Sequence, residues 1–399
     1  MRGRTFEAAY LFISVISPGV LGAQHSTADQ LCWPSSKVWA ALSSSIDGQL
    51  VAPRPPGWAY HDPKYDEAAC NDFQANWNNS FWRANQYGAM QNPIWDSLEC
   101  NIGTPRNVTC DQGFVPHCSV NAHNDNHAAE AVKFADRYNL SLVIKNTGHD
   151  YLGRSSREGS FSIWTHHLKG IIFKDSFVAN GCPQNETGVS VITIPNTSKR
   201  PSGVYKVADA HNVSVVGGGA PSVGAAGGWI QGGGHSPLGG LFGMGVDMPT
   251  TASIHPSFYD MFNAYIQDPS IGTPIWFGTR LVSRNALVAK SSELVKYIWG
   301  DGQRLSATFS IVGGREIRCP ANASAGEIEQ VGGDITQLVQ QFGRLTGLDD
   351  AAYYNEAGPL ELQWKKAFFG SHYDRLLRIK QQIDPKGLFT CNRCIGSDQ

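Results

Sequence analysis

The stretch NTGHDYLGRSS at residues 146–156 decides how the rest of the sequence is interpreted. It follows an apolar run, LSLVIK, and combines two glycines with a histidine, an arginine and several hydroxyl side chains. Glycine permits positive φ angles and a close approach of the backbone to a ligand, and N–H groups in such a loop bind anions. The stretch is therefore either a turn with an incidental histidine or a loop that holds an anionic cofactor and reacts with it.

The residues before this loop predict a strand–helix–strand unit. GFVPHCSV at residues 113–120 is typical of a short strand, and LSLVIK at residues 140–145 is typical of a second one. Between them, Asn124 or Asp125 can cap a helix. The apolar positions of that helix recur at helical spacing and are Ala128, Ala131, Val132, Ala135 and Tyr138. The loop thus begins where the second strand ends.

A second glycine-rich stretch lies at residues 215–245, VVGGGAPSVGAAGGWIQGGGHSPLGGLFGMG. Neither stretch contains the G-x-x-x-x-G-K-[ST] pattern of a P-loop, and no dinucleotide fingerprint opens an early βαβ unit. The glycines therefore bind a cofactor in another way, or they serve turns and tight strand packing. Further on, TPIWFGTRLVS and SATFSIVGG predict strands, and SIWTHHLKGIIF predicts a strand that carries His166 and His167 on opposite faces.

Composition limits the class of protein. The chain has 399 residues, of which 41% are hydrophobic, enough for a full core and two or three domains. A net charge of −2 without a basic block argues against binding to nucleic acid. The N-terminal apolar run, interrupted by Pro18 and Gly19, is too short for a membrane span and predicts a secretory signal cleaved near Ala23.

Cysteines and glycosylation sequons also predict a secreted protein. Five of the nine cysteines lie in the first 120 residues, as expected for a disulfide-tied segment. Cys391 and Cys394 have no further metal-ligating residues nearby, so a disulfide is favoured there over zinc, and no metal site is expected. Seven N-x-S/T sequons begin at Asn78, Asn107, Asn139, Asn185, Asn196, Asn212 and Asn322.

Several motifs together resemble one family. IKNTGHDYLGRSS, SIWTHHLKGI, the second glycine-rich stretch and the C-terminal YYNEA…FFGSHYDRLLRIKQQIDPKGLF are similar to the berberine-bridge-enzyme-like branch of the vanillyl-alcohol-oxidase/p-cresol-methylhydroxylase flavoproteins. The resemblance is to secreted fungal FAD-linked oxidoreductases. It implies an α+β fold with a PCMH-type FAD-binding domain of two small α/β subdomains, the second incomplete. The remnant of an antiparallel-sheet substrate domain, covered by helices, completes the expected fold.

The resemblance also implies a division of the chain. Residues 1–23 are the signal peptide, and residues 24–113 are an irregular, disulfide-tied segment. Residues 114–247 are the shortened FAD-binding domain, and residues 248–350 are the substrate-domain remnant. Residues 351–399 are a berberine-bridge-like segment that returns to the flavin.

The resemblance assigns His149 the bond to the 8α-methyl carbon of FAD, since a neutral imidazole is a nucleophile. Gly148 and Asp150 would shape the turn. Tyr353 is the candidate for a polar catalytic role, with a strand tyrosine packed by its ring as the alternative. The other residues implied for cofactor binding are Asn146, Thr147, Gly153, Arg154, Ser155, Gly219, Gly224, Gly227, Gly228, Gly233, Gly234 and Asn355.

Three departures from the family pattern change what is expected. Ala220 stands where bicovalent members carry a cysteine, so any covalent link is through His149 alone. The family's NEAD reads NEAG, with Gly358. After residue 247 the sequence passes to MPTTASIHPSFYDMF and lacks the family's further glycine-rich segment, which indicates an internal truncation.

The expected function is FAD-dependent oxidation of a small organic molecule, a secondary-metabolite intermediate, with O2 as the electron acceptor. Two alternatives remain from the sequence. One is a secreted carbohydrate oxidase of the same family, which would share every motif. The other is a truncated, inactive remnant that binds no flavin.

Overall fold

The computed structural model describes residues 25–193, 201–236, 271–280, 284–300, 313–318, 323–347 and 351–398, apart from positions 29, 169, 179–180, 182, 184–187, 214 and 273–274. The strands are β1 (Leu50–Val51), β2 (Cys118–Asn121), β3 (Leu142–Lys145), β4 (Phe161–Trp164), β5 (Ile172–Phe177), β6 (Val189–Thr193), β7 (Ile275–Arg280) and β8 (Gly313–Arg318). The helices are α1 (Ser36–Ser45), α2 (Glu67–Asn76), α3 (Ser80–Ala84), α4 (Asp125–Tyr138), α5 (Pro201–Ala210), α6 (Gly228–Gln231), α7 (Arg284–Ala289), α8 (Ser291–Gly300), α9 (Ala325–Thr346), α10 (Trp364–Phe369) and α11 (Tyr373–Ile383).

A four-stranded sheet with the order β1-β2-β4-β3 organises the N-terminal half. β2 and β3 both run parallel to β4, while β1 pairs antiparallel with β2. The carboxyl ends of three parallel strands therefore meet at one edge, at Asn121, Lys145 and Trp164. Ligands of open α/β sheets bind outside this edge, and the loop at residues 146–156 begins there.

The predicted strand–helix–strand unit is confirmed as β2, α4 and β3. The Asn124 side chain caps α4 by accepting a hydrogen bond from the His127 N–H at 3.0 Å. Asn139 ends the helix in the left-handed conformation, with φ 50°. The predicted apolar face of α4 packs on the core, with Ala131 and Ala135 fully buried. α1 packs on the same core, through Leu42 and Ile46.

A two-stranded antiparallel sheet, β7 and β8, carries α9 on one face. Gly332 of α9 lies on the indole of β7 residue Trp276, and a Cβ at this glycine would come within 2.6 Å of the ring. Ser324 and Glu327 form a reciprocal capping box at the start of α9. A sheet covered by helices is what the family resemblance implies for this part. The predicted strand SATFSIVGG lies mostly outside the described residues, and β8 begins at its last two residues.

The C-terminal segment returns to the central sheet. Phe389 forms a parallel bridge with Leu142 at the edge of the sheet, and Leu388 joins the core under α4. The Thr390 hydroxyl accepts a hydrogen bond from Arg157 at 2.8 Å. Residues 351–398 are thereby held beside the loop that follows β3.

The prediction for His166 and His167 was wrong. They lie in a single 3-10 turn, Thr165–His167, directly after β4, and not on opposite faces of a strand. Their rings meet edge to face at 5.1 Å, and His166 stacks on Trp164. The strand pattern fails here because β4 ends at Trp164, at the carboxyl end of the parallel strands, where the chain turns.

The charged groups Arg83, Asp96 and Lys145 are buried together behind the end of β3. Arg83 Nη2 donates to Asp96 Oδ2 at 2.5 Å, and the Met90 N–H donates to Asp96 Oδ1. Lys145 Nζ donates to the carbonyl oxygens of residues 86 and 87. Burial raises the pKa of Asp96 to about 6 and lowers the pKa of Lys145 to about 7, while the opposite charges counteract both shifts. The segment at residues 77–96 is thus fastened to β3 by buried charges.

Replacing Asp96→Asn should destabilise the fold by about 3–5 kcal/mol, because Arg83 would keep its charge without a counter-charge in a buried site. Urea unfolding measures this change in the free energy of unfolding. The matched control is Asp62→Asn, whose ion pair with Arg106 has side chains 51% and 48% exposed. That control should cost about 1 kcal/mol or less. Equal effects of the two substitutions would contradict the assignment of the buried pair.

Candidate cofactor site

The loop after β3 is hydrogen-bonded to the segment at residues 77–96, which the buried charges attach to β3. Gln91 donates from its backbone N–H to the Gly148 carbonyl at 2.8 Å and from Nε2 to the Thr147 carbonyl at 2.9 Å. Trp164 Nε1 donates to the Asn146 carbonyl at 3.0 Å. Three consecutive carbonyl oxygens therefore accept hydrogen bonds from neighbouring protein groups, which fixes the path of the backbone at the histidine.

Both glycines of this loop occupy positions that other residues fit poorly. Gly148 has φ +78°, and a Cβ there would lie 3.1 Å from Met90 Cα. Gly153 has φ +74°, and a Cβ there would lie 2.6 Å from the Trp95 ring. The sequence predicts that Gly153 lines a pyrophosphate, and the structure places an indole against it. Its conformation and packing already require glycine.

Asp150 shapes the turn by binding Arg154 twice. Its carboxylate accepts from the Arg154 backbone N–H and from Nε, each at 2.5 Å. The guanidinium also lies over the Tyr354 ring, 4.3 Å from its centre. Burial opposes the charge on Arg154, but Asp150 and Tyr354 outweigh it, so the pKa of Arg154 is raised. The cation is therefore permanent and points toward the C-terminal segment.

His149 joins the two glycine-rich stretches. Its Nε2 lies 2.8 Å from the hydroxyl oxygen of Ser222, which is fully buried. Ser222 is two residues beyond Ala220 in APSVG, so the histidine faces the stretch in which the family pattern has its second attachment residue. Sequence reasoning singled out Ala220 and missed Ser222. The hydroxyl in the same short stretch was the signal that could have found it.

The second stretch adopts the conformations that its glycines permit. Gly227, Gly233 and Gly234 have φ of +86°, +121° and +75°. Gly228 is exposed, and a Cβ there would meet nothing within 4 Å, so packing within the described residues does not explain this glycine. Gly219 and Gly224 lie in the described part of the stretch, half-buried and buried respectively. Residues 237–245 of this stretch are outside the described residues.

Asn355 connects both stretches to the C-terminal segment. Its Nδ2 donates to the Trp229 carbonyl at 2.7 Å, and its Oδ1 accepts from Arg154 Nη2 at 3.4 Å. A Cβ on Gly232 would lie 2.2 Å from that Oδ1. The sequence predicts Asn355 at the cofactor. Sequence reasoning missed Gly232, whose lack of a side chain leaves room for the Asn355 amide.

Tyr353 is buried at the same junction. Its hydroxyl oxygen accepts hydrogen bonds from the His235 backbone N–H and from Asn355 Nδ2, both at 2.9 Å. Burial raises the pKa of Tyr353, although these two donors favour the phenolate. His235 Nδ1 lies 3.2 Å from Glu356 Oε1, and this hydrogen bond raises the pKa of His235 despite burial. Glu356 is a third residue that sequence reasoning did not select.

The described residues fit a polar cofactor at this place. The Ser156 hydroxyl, at the end of the first loop, is buried and has no hydrogen-bond partner in the described part of the protein. A buried hydroxyl without a partner costs free energy, and a ligand atom would remove that cost. Ser155 lies beside it, half-buried. On the second glycine-rich stretch, a Cβ at Gly228 would meet nothing within 4 Å, so a cofactor has room to approach the backbone there.

The fold is that of a VAO-type flavoprotein. Two such flavoproteins from Myceliophthora thermophila C1, MtVAO713 and MtVAO615, superpose on 94% of this chain with TM-scores of 0.81 and 0.80 at 20% sequence identity. The superpositions cover 98% and 97% of those chains. The family model described as "Berberine and berberine like" matches residues 352–396.

Proteins of similar sequence bear the name FAD-linked oxidoreductase. An "Uncharacterized FAD-linked oxidoreductase" of Arthroderma benhamiae is 29% identical, covering 93% of this chain and 94% of the relative. A second protein of that name and organism is 41% identical over 57% of this chain and 41% of its own length. The motifs, the family model, the relatives and the fold are all similar to those of berberine-bridge-enzyme-like FAD-linked oxidoreductases, which supports the resemblance found in the sequence.

The lengths of these matches differ. The alignment with the first relative extends over 532 positions, more than the 399 residues of this chain, so the relative contains internal segments that this chain lacks. The chain spans less than half the length of the second relative in its match. No helix in the described residues is long and apolar enough to cross a membrane.

Gly153→Ala should lower the free energy of unfolding more than Gly159→Ala. Both glycines have positive φ, +74° and +69°, and each alanine should cost about 1–2 kcal/mol for that conformation. A Cβ at Gly159 meets nothing within 4 Å, whereas one at Gly153 meets Trp95 and should cost about 1–3 kcal/mol more. Thermal and urea unfolding compare the two. Equal losses would show that Trp95 does not pack on Gly153.

Glu356→Gln should destabilise the protein more at about pH 5.5 than at about pH 8.5. The raised pKa of His235 contributes stability that is present below the unfolded-state pKa and lost as the pH rises through the folded-state value. Both side chains are about a quarter exposed, so the difference should be under about 1 kcal/mol. Urea unfolding at both pH values measures it. Glu130→Gln, which removes a surface partner of Lys133, should give the same change at each pH.

Proposed function

We propose that the chain binds FAD between the two glycine-rich stretches and oxidises a small organic molecule, with O2 as the electron acceptor. The observation that carries this proposal is the convergence of three distant segments at the loop that carries His149. Ser222 bonds the histidine from the second stretch, and Asn355 bonds both stretches from the C-terminal segment. When bound, FAD supplies a hydride acceptor at N5 and a route for electrons to oxygen.

In this proposal the first loop binds the pyrophosphate and His149 forms the single covalent link to the cofactor. The residues that hold the cofactor are those that the sequence predicts, together with Ser156. A methyl group cannot make a thioether, so Ala220 leaves the cysteinyl link of bicovalent proteins without a partner. Arg154, whose charge is fixed by Asp150, adds positive potential beside the loop.

Tyr353 is proposed to orient the substrate. Its oxygen is held by two N–H donors, and its raised pKa keeps the hydroxyl proton at neutral pH. A phenol with both of these donors in place can give its own proton to a hydrogen bond with a substrate oxygen or nitrogen. The substrate class proposed from the family is an intermediate of secondary metabolism.

Secretion and glycosylation belong to the same proposal. Disulfides Cys100–Cys110 and Cys391–Cys394 support an oxidising compartment. The sequon asparagines within the described residues are exposed: Asn78, Asn107, Asn139 and Asn212. Glycosylation is common at exposed sequons of secreted proteins.

The test is the absorbance spectrum of the purified protein before and after acid precipitation. We expect flavin absorbance that remains with the precipitated wild-type protein and washes out of His149→Ala. Tyr353→Phe is the matched control, since it should keep the acid-stable colour while removing the substrate-directed hydroxyl. A colourless, folded wild-type protein would refute flavin binding and support the inactive remnant. Colour that washes out of the wild type would refute the covalent link alone.

A further inference from the structure

Ser222 is a buried hydroxyl whose partner is the histidine proposed to carry the cofactor. It is fully buried, and its Oγ lies 2.8 Å from His149 Nε2. The two residues are 73 positions apart, so the contact exists only because the two glycine-rich stretches fold against each other. We infer that Ser222 is a positioning residue that orients the His149 imidazole, with Nε2 donating to its hydroxyl oxygen and Nδ1 acting as the nucleophile.

The chemistry of a neutral imidazole supports this role. One ring nitrogen carries the proton and the other carries the lone pair, and hydrogen bonding selects between the two forms. When Nε2 donates its proton to Ser222 Oγ, the lone pair lies on Nδ1. The same hydrogen bond prevents rotation of the ring about χ2. Ser222 thus fixes the direction of the ring, and its oxygen accepts the Nε2 proton in this tautomer.

Ser222 also lies beside His149 Nε2, the ring nitrogen that loses its proton when the histidyl link forms. Formation of the histidyl link replaces one C–H bond of the cofactor's methyl group and one N–H bond of the ring by a C–N bond. Two electrons and two protons are released, and dioxygen takes them to form hydrogen peroxide. The departing ring proton is the one on Nε2, beside the Ser222 oxygen.

The surroundings of the pair favour a fixed geometry. The three carbonyl groups directly before His149 accept hydrogen bonds from Trp164 and Gln91, which restrains the backbone at the histidine. Gly148, directly before it, packs on Met90. Because the backbone is held, the hydrogen bond to Ser222 acts on the side-chain torsions of His149. Orientation of a reacting group within a fraction of an ångström changes rates strongly.

This inference rests on the proposed covalent link, and the experiment separates the two. The full-length protein is purified with its noncovalent flavin removed, then incubated with FAD and oxygen, and the acid-stable flavin is measured over time. Absence of acid-stable flavin in the wild type would refute the covalent link and leave nothing for Ser222 to position. Acid-stable flavin in the wild type establishes the reference rate for the variants.

Ser222→Ala should bind FAD with unchanged affinity but attach it about tenfold more slowly, as expected for loss of one hydrogen bond to the reacting group. Ser160→Ala is the control, because Ser160 is another buried serine, and its hydroxyl donates to the Arg157 carbonyl at the opposite end of β4 from the candidate site. It should attach FAD at the wild-type rate. Wild-type attachment by Ser222→Ala would overturn the inference.

A second pair of variants covers the case in which Ser222→Ala folds poorly. Ser222→Thr and Ser222→Val have nearly the same shape, and only threonine keeps a hydroxyl. We expect Ser222→Thr to attach FAD several-fold faster than Ser222→Val at matched thermal stability. A merely structural role would make the two variants equal, and equal rates would overturn the inference.

Discussion

The buried ion pair between Arg83 and Asp96, with Lys145 beside it, is the constraint on which the candidate site depends. Charges are costly to bury unless they are paired and hydrogen-bonded, and this group satisfies both conditions. Asp96 accepts from the arginine and from the Met90 N–H, while Lys145 binds the carbonyls of residues 86 and 87. The segment at residues 77–96 is therefore held rigidly against the end of β3. Gln91 and Trp95 of this segment then hold the loop that carries His149.

The site itself is assembled from three parts of the chain that are distant in sequence. The first loop follows a parallel strand, which is where open α/β sheets place their ligands. The second stretch reaches it through Ser222, and the C-terminal segment reaches both through Asn355. Hydrogen bonds between glycine-rich segments give little stability individually, but each removes a buried polar group that would otherwise lack a partner. Their combined effect is to fix the junction between the loop that carries His149 and the segment that carries Tyr353.

The described residues retain this junction although the chain is shorter than its relatives. The alignment with the Arthroderma benhamiae relative shows that the relative contains internal segments that this chain lacks. The frame that holds His149 consists of the central sheet, the fastened segment and the C-terminal return, and all of these lie in the described ranges. The sequence lacks the further glycine-rich segment that the family resemblance implies after residue 247, and residues 237–270 of this chain lie outside the described ranges. The contacts around His149 are therefore present without that segment.

The sequence by itself determined the elements with local signals. The amphipathic period and the Asn124 cap predict α4, the apolar run predicts β3, and the glycines around His149 predict the loop after it, because each signal lies within a few residues. It also determined that Ala220 cannot form a cysteinyl link. Only the tertiary structure decided that Trp95 packs on Gly153, that Ser222 contacts His149, and that the two histidines after β4 lie in a turn. The first two contacts join groups dozens of residues apart, and a contact between distant residues leaves no periodic pattern in the chain. The turn of the two histidines depends on where β4 ends in the sheet, which the local pattern does not encode.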